Sequence, residues 1–196
     1  MNFEGELKKI SEITKSYLML TDEDIQRIRK IKNVLLENSE EIVSGTVGSL
    51  LSCELALEFV KKANLTEEQA KKLFKHWFLT FLEGSYDLRH AKEVFRIGLA
   101  HARYGVHRRL MCMCMGAWIR EILKVIEAES GRIDELVPTI ASVSKLIFWN
   151  LVIMLHGYHV ARVESLKRAA GISPQLIDRL FRVKADEVYK SLLKRM

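Results

Sequence analysis

Apolar residues recur at spacings of three and four along almost the whole chain, interrupted only by short polar or glycine-bearing stretches, and this period predicts an all-α protein. Phe3, Leu7, Ile10, Ile13 and Leu18 form a loose apolar face over residues 2–18, which predicts an N-terminal helix packed on the domain or on a partner. Thr21, followed by Asp22, Glu23 and Asp24, marks a second helix running to about Asn38, because a capping hydroxyl and acids favour the positive helix end. Ser39 opens a third, with Ile42, Val43, Thr46, Val47, Leu50 and Leu51 at helical spacing. A short helix over 53–63 follows. Thr66 with Gln69 three residues later then reads as the capping box of a helix carrying Leu73, Phe74, Trp77, Phe78 and Phe81. Gly84 closes that helix and Asp87 caps the next.

From Phe95 to Trp118 the chain reads as one further helix, with Val94, Ile97, His101 and Tyr104 on a single stripe and Gly98 and Gly105 beside it. A histidine thus interrupts an apolar face. Each glycine costs roughly 1 kcal/mol relative to alanine inside a helix, so a close approach is predicted there. A flat ligand against the face would supply it; a core histidine bonded to a backbone carbonyl is the plainer reading. Residues 110–128 form a helix rich in methionine and cysteine, side chains that fill irregular cores. After a break at Gly131 comes the last core helix, with Pro138 tolerated in its first turn. Its run from Ile140 to Leu166 spans roughly 40 Å, longer than one small domain needs. A hinge over Ala169–Ser173 leads to a final helix begun by Ser173-Pro174. The expected division is an N-terminal helix over 1–19, a core domain over 20–168, and a hinge with a basic C-terminal helix over 169–196.

Composition narrows the class. With 196 residues, two prolines, ten glycines and 48% hydrophobic residues, the chain suits one all-helical domain. No apolar run reads as a membrane span, and the charged opening MNFEGELKKI lacks a secretory pattern, so a cytoplasmic protein is expected. Cys53, Cys112 and Cys114 are odd in number, with the last two on nearly opposite helix faces, and are expected as reduced thiols. The net charge of +6 is concentrated from Arg162 onward, where nine Lys and Arg stand against four Asp and Glu, leaving +5. Such a tail suits an acidic partner, an anionic surface or plain solvation; without aromatic interleaving or a recognition motif, no nucleic acid is expected. Phosphate-binding glycine loops, HExxH, CxxC and CxxCH patterns are absent. Glu40 with Glu41, and Glu67 with Glu68, belong to solvated first turns, and His156 and His159 lack a third metal ligand nearby in sequence.

HWFLTFLEGSYD at 76–87, RIGLAHARYGV at 96–106 and MGAW at 115–118 resemble the sensor-globin family of globin-coupled sensors and protoglobins. The likeness extends from about Leu20 to Leu166, through TDEDIQRI and WNLVIMLHGY. It implies a globin fold in which His101, the histidine of IGxxHxRxG, is the proximal ligand of a haem b. Val94, Ile97 and Tyr104 on the proximal side, and Val47, Leu73 and Trp77 on the other, are then expected to line the haem. Arg96 and Arg103 suit the propionates, or are simply solvated. His76, three residues from Leu73, is a candidate sixth ligand or a partly exposed polar residue. The resemblance also implies a homodimer through the last two core helices.

This chain departs from the family at three places. Where most members carry Phe-Tyr, it has Thr46-Val47, which removes the tyrosine hydroxyl that reaches bound ligand. A threonine within a helix commonly bonds back to its own backbone, so weak discrimination in favour of dioxygen is expected. His90 stands where many relatives have an aromatic, and is expected at the surface. Where many relatives attach a signalling domain, the hinge here leads to one helix suited to docking a downstream partner.

The leading expectation is a non-enzymatic haem globin that senses or binds a diatomic gas, O2, CO or NO. A haem-free globin-like interaction module is the alternative. Nitric oxide oxidation or peroxidase-like turnover ranks last, since an apolar distal side offers no acid or base to cleave an O–O bond.

Overall fold

Polar side chains set where four of the helices begin, as their sequence positions require. The Thr66 hydroxyl accepts from Gln69 N–H at 3.2 Å while Gln69 Oε1 accepts from Thr66 N–H at 2.9 Å. Asp87 accepts from His90 N–H at 3.0 Å, Ser173 from Leu176 N–H at 3.2 Å, and Asp24 from Thr21 N–H at 2.9 Å. The structure, a computed structural model, describes residues 3–195. Its helices are α1 (Phe3–Tyr17), α2 (Asp22–Glu37), α3 (Ser39–Leu51), α4 (Glu54–Lys62), α5 (Glu67–Glu83), α6 (Leu88–Arg103), α7 (Arg108–Ala128), α8 (Leu136–Ala170) and α9 (Pro174–Leu193). A 3-10 turn at Ser130–Arg132 joins α7 to α8, and no strand occurs among the described residues. The start expected at Asn2 lies outside the described residues.

The 35-residue α8 is the axis of the molecule, and α6, α2, α7 and α1 all pack on it. Its Val143, Leu146, Ile147, Trp149 and Ile153 are fully buried. That apolar character makes α8 long and apolar enough to cross a membrane, contrary to the sequence expectation that no run reaches that length. Half of its most apolar window lies inside the protein, so core packing accounts for the composition.

Three further expectations are revised. In α1 the buried side chains are Leu7, Ser11 and Thr14, while Ile13 is exposed, because α1 turns a narrower stripe toward α6 and α8 than its apolar pattern suggests. The stretch 95–118 is two helices. Gly105 adopts φ +70°, its N–H donates to the Ala102 carbonyl at 3.1 Å, and Val106 N–H donates to the His101 carbonyl at 2.9 Å. This paired closure is a Schellman stop, and it uses the left-handed backbone that glycine supplies without a Cβ penalty.

Gly98 is the third revision. It is compensated by a helix and not by a flat ligand, since a Cβ there would overlap the Met154 carbonyl oxygen of α8. Gly157 of α8 mirrors it against the Phe95 carbonyl. The two glycines let α6 and α8 approach backbone to backbone, which fixes the helix that carries His101.

Candidate functional site

His101 sits in the last turn of α6, partly buried, with its environment set by the chain around it. Its Nδ1–H donates to the Ile97 carbonyl oxygen at 2.8 Å, which places the proton on Nδ1 and leaves the Nε2 lone pair free. No hydrogen bond engages Nε2 among the described residues. Burial lowers the imidazole's proton affinity, against a smaller opposite pull from the Ile97 carbonyl, so the ring is neutral near pH 7. A neutral imidazole, oriented through one nitrogen with the other open, fits an iron ligand.

Along its stripe Val94 is fully buried, Ile97 and His101 are partly covered, and Tyr104 is 60% exposed beyond the helix end. Tyr104 is the C-cap residue, so the break at Gly105 carries it out of the α6 face that its spacing suggested. Arg96 and Arg103 are both exposed, and the Arg103 guanidinium lies over the Tyr104 ring at 5.7 Å.

On α3, Thr46 and Val47 are buried. The Thr46 hydroxyl donates to the Ile42 carbonyl at 2.9 Å, the back-bond expected of a helical threonine, and so presents no free hydrogen. A cavity of about 350 Å³ opens between α3, α4 and α7, bordered by Thr46, Leu50, Cys53, Leu110, Cys114 and Arg120. Burial pushes the Cys114 thiol up to about 12, against a smaller pull from its hydrogen bond with Trp118, so it stays protonated.

The α5 face divides. Leu73 is 61% exposed and His76 is exposed, whereas Trp77 is only 6% exposed. Trp77 stacks on Phe81 with ring centroids 5.6 Å apart and lies 4.8 Å from Trp118 of α7. Phe74 and Phe78 stack on the same Trp118 at 5.9 and 5.2 Å. Amid this packing the Trp77 indole Nε1 is buried without a hydrogen-bond partner among the described residues. α5 packs on α3 and α2 while α6 packs on α8 and α1, and α5 and α6 are not a closely packed pair.

Two residues of the neighbourhood were not anticipated. His90, expected at the surface, is 2% exposed. Its ring lies 4.5 Å from Tyr86 and 5.3 Å from Trp149, and its Nδ1 accepts from Tyr86 N–H at 3.3 Å. A Cβ on Gly84 would overlap this ring, so that glycine is the sequence signal for a buried side chain nearby. Glu121 of α7 is buried with Lys124 Nζ at 3.0 Å, and a Cβ on Gly45 of α3 would lie 2.6 Å from its Oε2. The acids expected in solvated first turns, Glu40, Glu41, Glu67 and Glu68, are exposed, with Glu40 paired to Lys75 and Glu67 to Lys71.

His156 is half-buried, with its ring 5.7 Å from Phe95 and Glu6 of α1 at 3.9 Å, and His159 is exposed. No group of three metal-ligating side chains is assembled among the described residues.

Comparison with known proteins gives a consistent result. No curated protein matches the chain. Among solved structures, the chain is similar to the globin domain of a Geobacter sulfurreducens globin-coupled sensor. That likeness has 26% sequence identity and a TM-score of 0.68, and covers 75% of this chain and 96% of the other. The sequence pattern of the protoglobin family matches residues 9–164, taking in every helix from α2 to α7 and most of α1 and α8, and on this ground the chain belongs to the protoglobin family.

Proposed function

We propose that this protein binds a diatomic gas on a haem b held by His101, and that it signals ligand occupancy through a dimer. The observation that carries the reading is the His101 imidazole itself: Nδ1 anchored on the Ile97 carbonyl, Nε2 unengaged, the ring neutral. When bound, the haem supplies an iron with an open position for O2, CO or NO. The chain's own part is to orient the imidazole, to present apolar walls from Val94, Ile97, Val47, Leu73 and Trp77, and to set the polarity of the distal side. Arg103 at the exposed end of α6 suits the propionates, and His76 on α5 is the candidate sixth ligand.

Transmission follows from packing. α6 lies backbone to backbone on α8 at Gly98 and Gly157, so a displacement of His101 bears on α8 as a rigid unit. Phe148 and Val152 lie one turn apart on α8 and are exposed apolar side chains, which suits an interface with a second copy through α7 and α8. Gas binding biases such an assembly only through different affinities for its two arrangements. We assign the protein to binding and not to turnover, and place it in the cytoplasm.

A second reading has its own observation. On α9, Leu176, Leu180, Phe181, Val183, Val188, Tyr189, Leu192 and Leu193 are exposed, an apolar surface that suits docking to a downstream protein with or without haem.

Visible absorption after haemin addition separates the two. The expected outcome is a sharp Soret band in the wild type that is lost or shifted in His101→Ala, with His76→Ala altering only the ferrous coordination state. Spectra indifferent to His101 would leave the haem-free docking module as the function.

A further inference from the structure

We propose that the cavity between α3, α4 and α7 is a binding site for a small amphiphilic monocarboxylate, with Arg120 holding the carboxylate and the apolar walls holding the chain. The proposal goes beyond the gas-binding reading and does not depend on haem.

The walls decide the ligand class. Leu50 of α3, Ala56 of α4, and Leu110, Met113 and Ala117 of α7 are apolar, and no lining residue comes from α5 or α6, so the cavity stands apart from the face that carries His101. The polar groups of the lining are almost all spent. The Thr46 hydroxyl donates to the Ile42 carbonyl and the Ser49 hydroxyl to the Gly45 carbonyl, each at 2.9 Å. The Cys114 thiol is protonated and hydrogen-bonded with Trp118. A sugar or a nucleotide, which carries several donors and acceptors at once, would leave its own groups unpaired here. A hydrocarbon chain asks for no partner.

Arg120 is the exception. Its Nε donates to Glu121 Oε1 at 2.7 Å and its Nη2 to Ser49 Oγ at 2.6 Å, which pins the guanidinium at the rim. Nη1 has no hydrogen-bond partner among the described residues. Lys124 Nζ lies 3.0 Å from Glu121 Oε2 and shares that carboxylate, so two cations face one acid and a surplus positive charge remains. An anionic head gains a charge-assisted hydrogen bond at Nη1 without displacing either existing contact.

Size and access agree with this class. About 350 Å³ lies at the small end of ligand pockets, roughly 300–1,000 Å³. At the roughly 30 Å³ that one molecule takes in liquid water, the cavity holds on the order of ten non-hydrogen atoms, the size of octanoate. The lining is open to solvent at Met113, which is 53% exposed, and at Gly116, where an added Cβ would meet no neighbour.

The test uses the whole chain, without and with haem, and octanoate and 1-octanol as probes. Calorimetry gives the affinity, and the Met113 ε-methyl signal of methionine-labelled protein gives the place. Octanoate is expected to bind saturably at one site and to shift Met113, while Met19, exposed between α1 and α2, stays unmoved. Arg120→Gln should weaken octanoate about tenfold or more and leave octanol unchanged, with Arg120→Lys recovering part of the loss. Ala117→Phe, which fills the cavity, should abolish both. Equal octanoate affinity in the wild type and Arg120→Gln, a saturable site that leaves Met113 unmoved, or no octanoate uptake by the wild type would each overturn the proposal. Should Ala117→Phe fail to fold, the Arg120 variants and the Met113 shift decide. The same octanoate affinity is expected with and without haem, so a failed Soret test would leave this site standing.

Discussion

Gly98 of α6 lies directly against the Met154 carbonyl of α8, leaving no room for a single carbon on its Cα. Because the obstacle is backbone, it cannot swing aside as a flexible side chain would. Gly98→Ala gains roughly 1 kcal/mol of helix propensity yet forces the helices apart, and overpacking of this kind costs typically about 1–3 kcal/mol or more. With backbone as the obstacle, the cost falls at the upper end of that range, and we expect a net loss of about 1–2 kcal/mol in urea unfolding. A variant as stable as the wild type would mean that the α6–α8 approach is looser than described.

His90 gives a pH dependence with a defined window. Burial lowers its pKa from 6.5 to about 4, with Asn150 and the Asp87 carboxylate pulling weakly the other way. Between those two values the unfolded chain takes up a proton that the folded chain refuses. The stability from the neutral ring is therefore complete above 6.5 and drains away as pH falls toward 4, by on the order of 3 kcal/mol at the lower end. His90→Phe, which keeps a ring among Tyr86 and Trp149 but removes the titrating nitrogens, should flatten this part of the curve. Guanidinium unfolding of both proteins at pH 7 and 4.5 measures it, and equal losses in the two would refute the assignment.

His90 and Gly105 show where local patterns stop being informative. Helix starts were legible because Thr66, Asp87 and Ser173 act within three residues of themselves, and the likeness around His101 pointed to the globin fold for the same kind of reason: its motif is contiguous. By period alone Gly105 reads as helix interior, because period cannot distinguish a glycine inside a helix from one that ends it at positive φ. His90 reads from sequence as a surface residue because its burial depends on Tyr86 and on Trp149, which is 59 positions later in the chain (149 − 90). The unpartnered Trp77 indole was likewise invisible, since a missing acceptor is a property of packing.

Asp24 ties α2 to α8. Its side chain accepts from Ser142 Oγ at 2.7 Å and from Lys145 Nζ at 3.0 Å, besides the Thr21 N–H. Burial raises its pKa, but these donors outweigh it and hold the carboxyl below the ordinary value of 3.8. The stabilisation is thus present above that value and lost as pH falls below it, through the lower folded pKa. Asp24→Ala leaves the buried Ser142 hydroxyl with only its own-helix partner, the Pro138 carbonyl, and removes the Lys145 counter-ion. We expect a cost of about 2–4 kcal/mol, read as a lower thermal midpoint at pH 7, with the difference from wild type shrinking at pH 3. A pH-independent difference would assign the effect to packing alone.

Phe148 tests the assembly. It is 47% exposed on α8, and Val152 one turn on is also exposed, on a helix whose 35 residues extend about 50 Å. A lone protomer gains nothing from presenting that pair to water; buried against a second copy, the part of each still exposed would contribute about 0.5–1.5 kcal/mol. Phe148→Arg places a charge at the same point without touching the core residues Trp149 and Ile153, so the helical content should stay that of the wild type. Light scattering coupled to size exclusion should then give a dimer for the wild type and a monomer for the variant. A monomeric wild type would remove α8 as the route by which a displacement of His101 leaves the subunit, and would shift attention to the exposed face of α9.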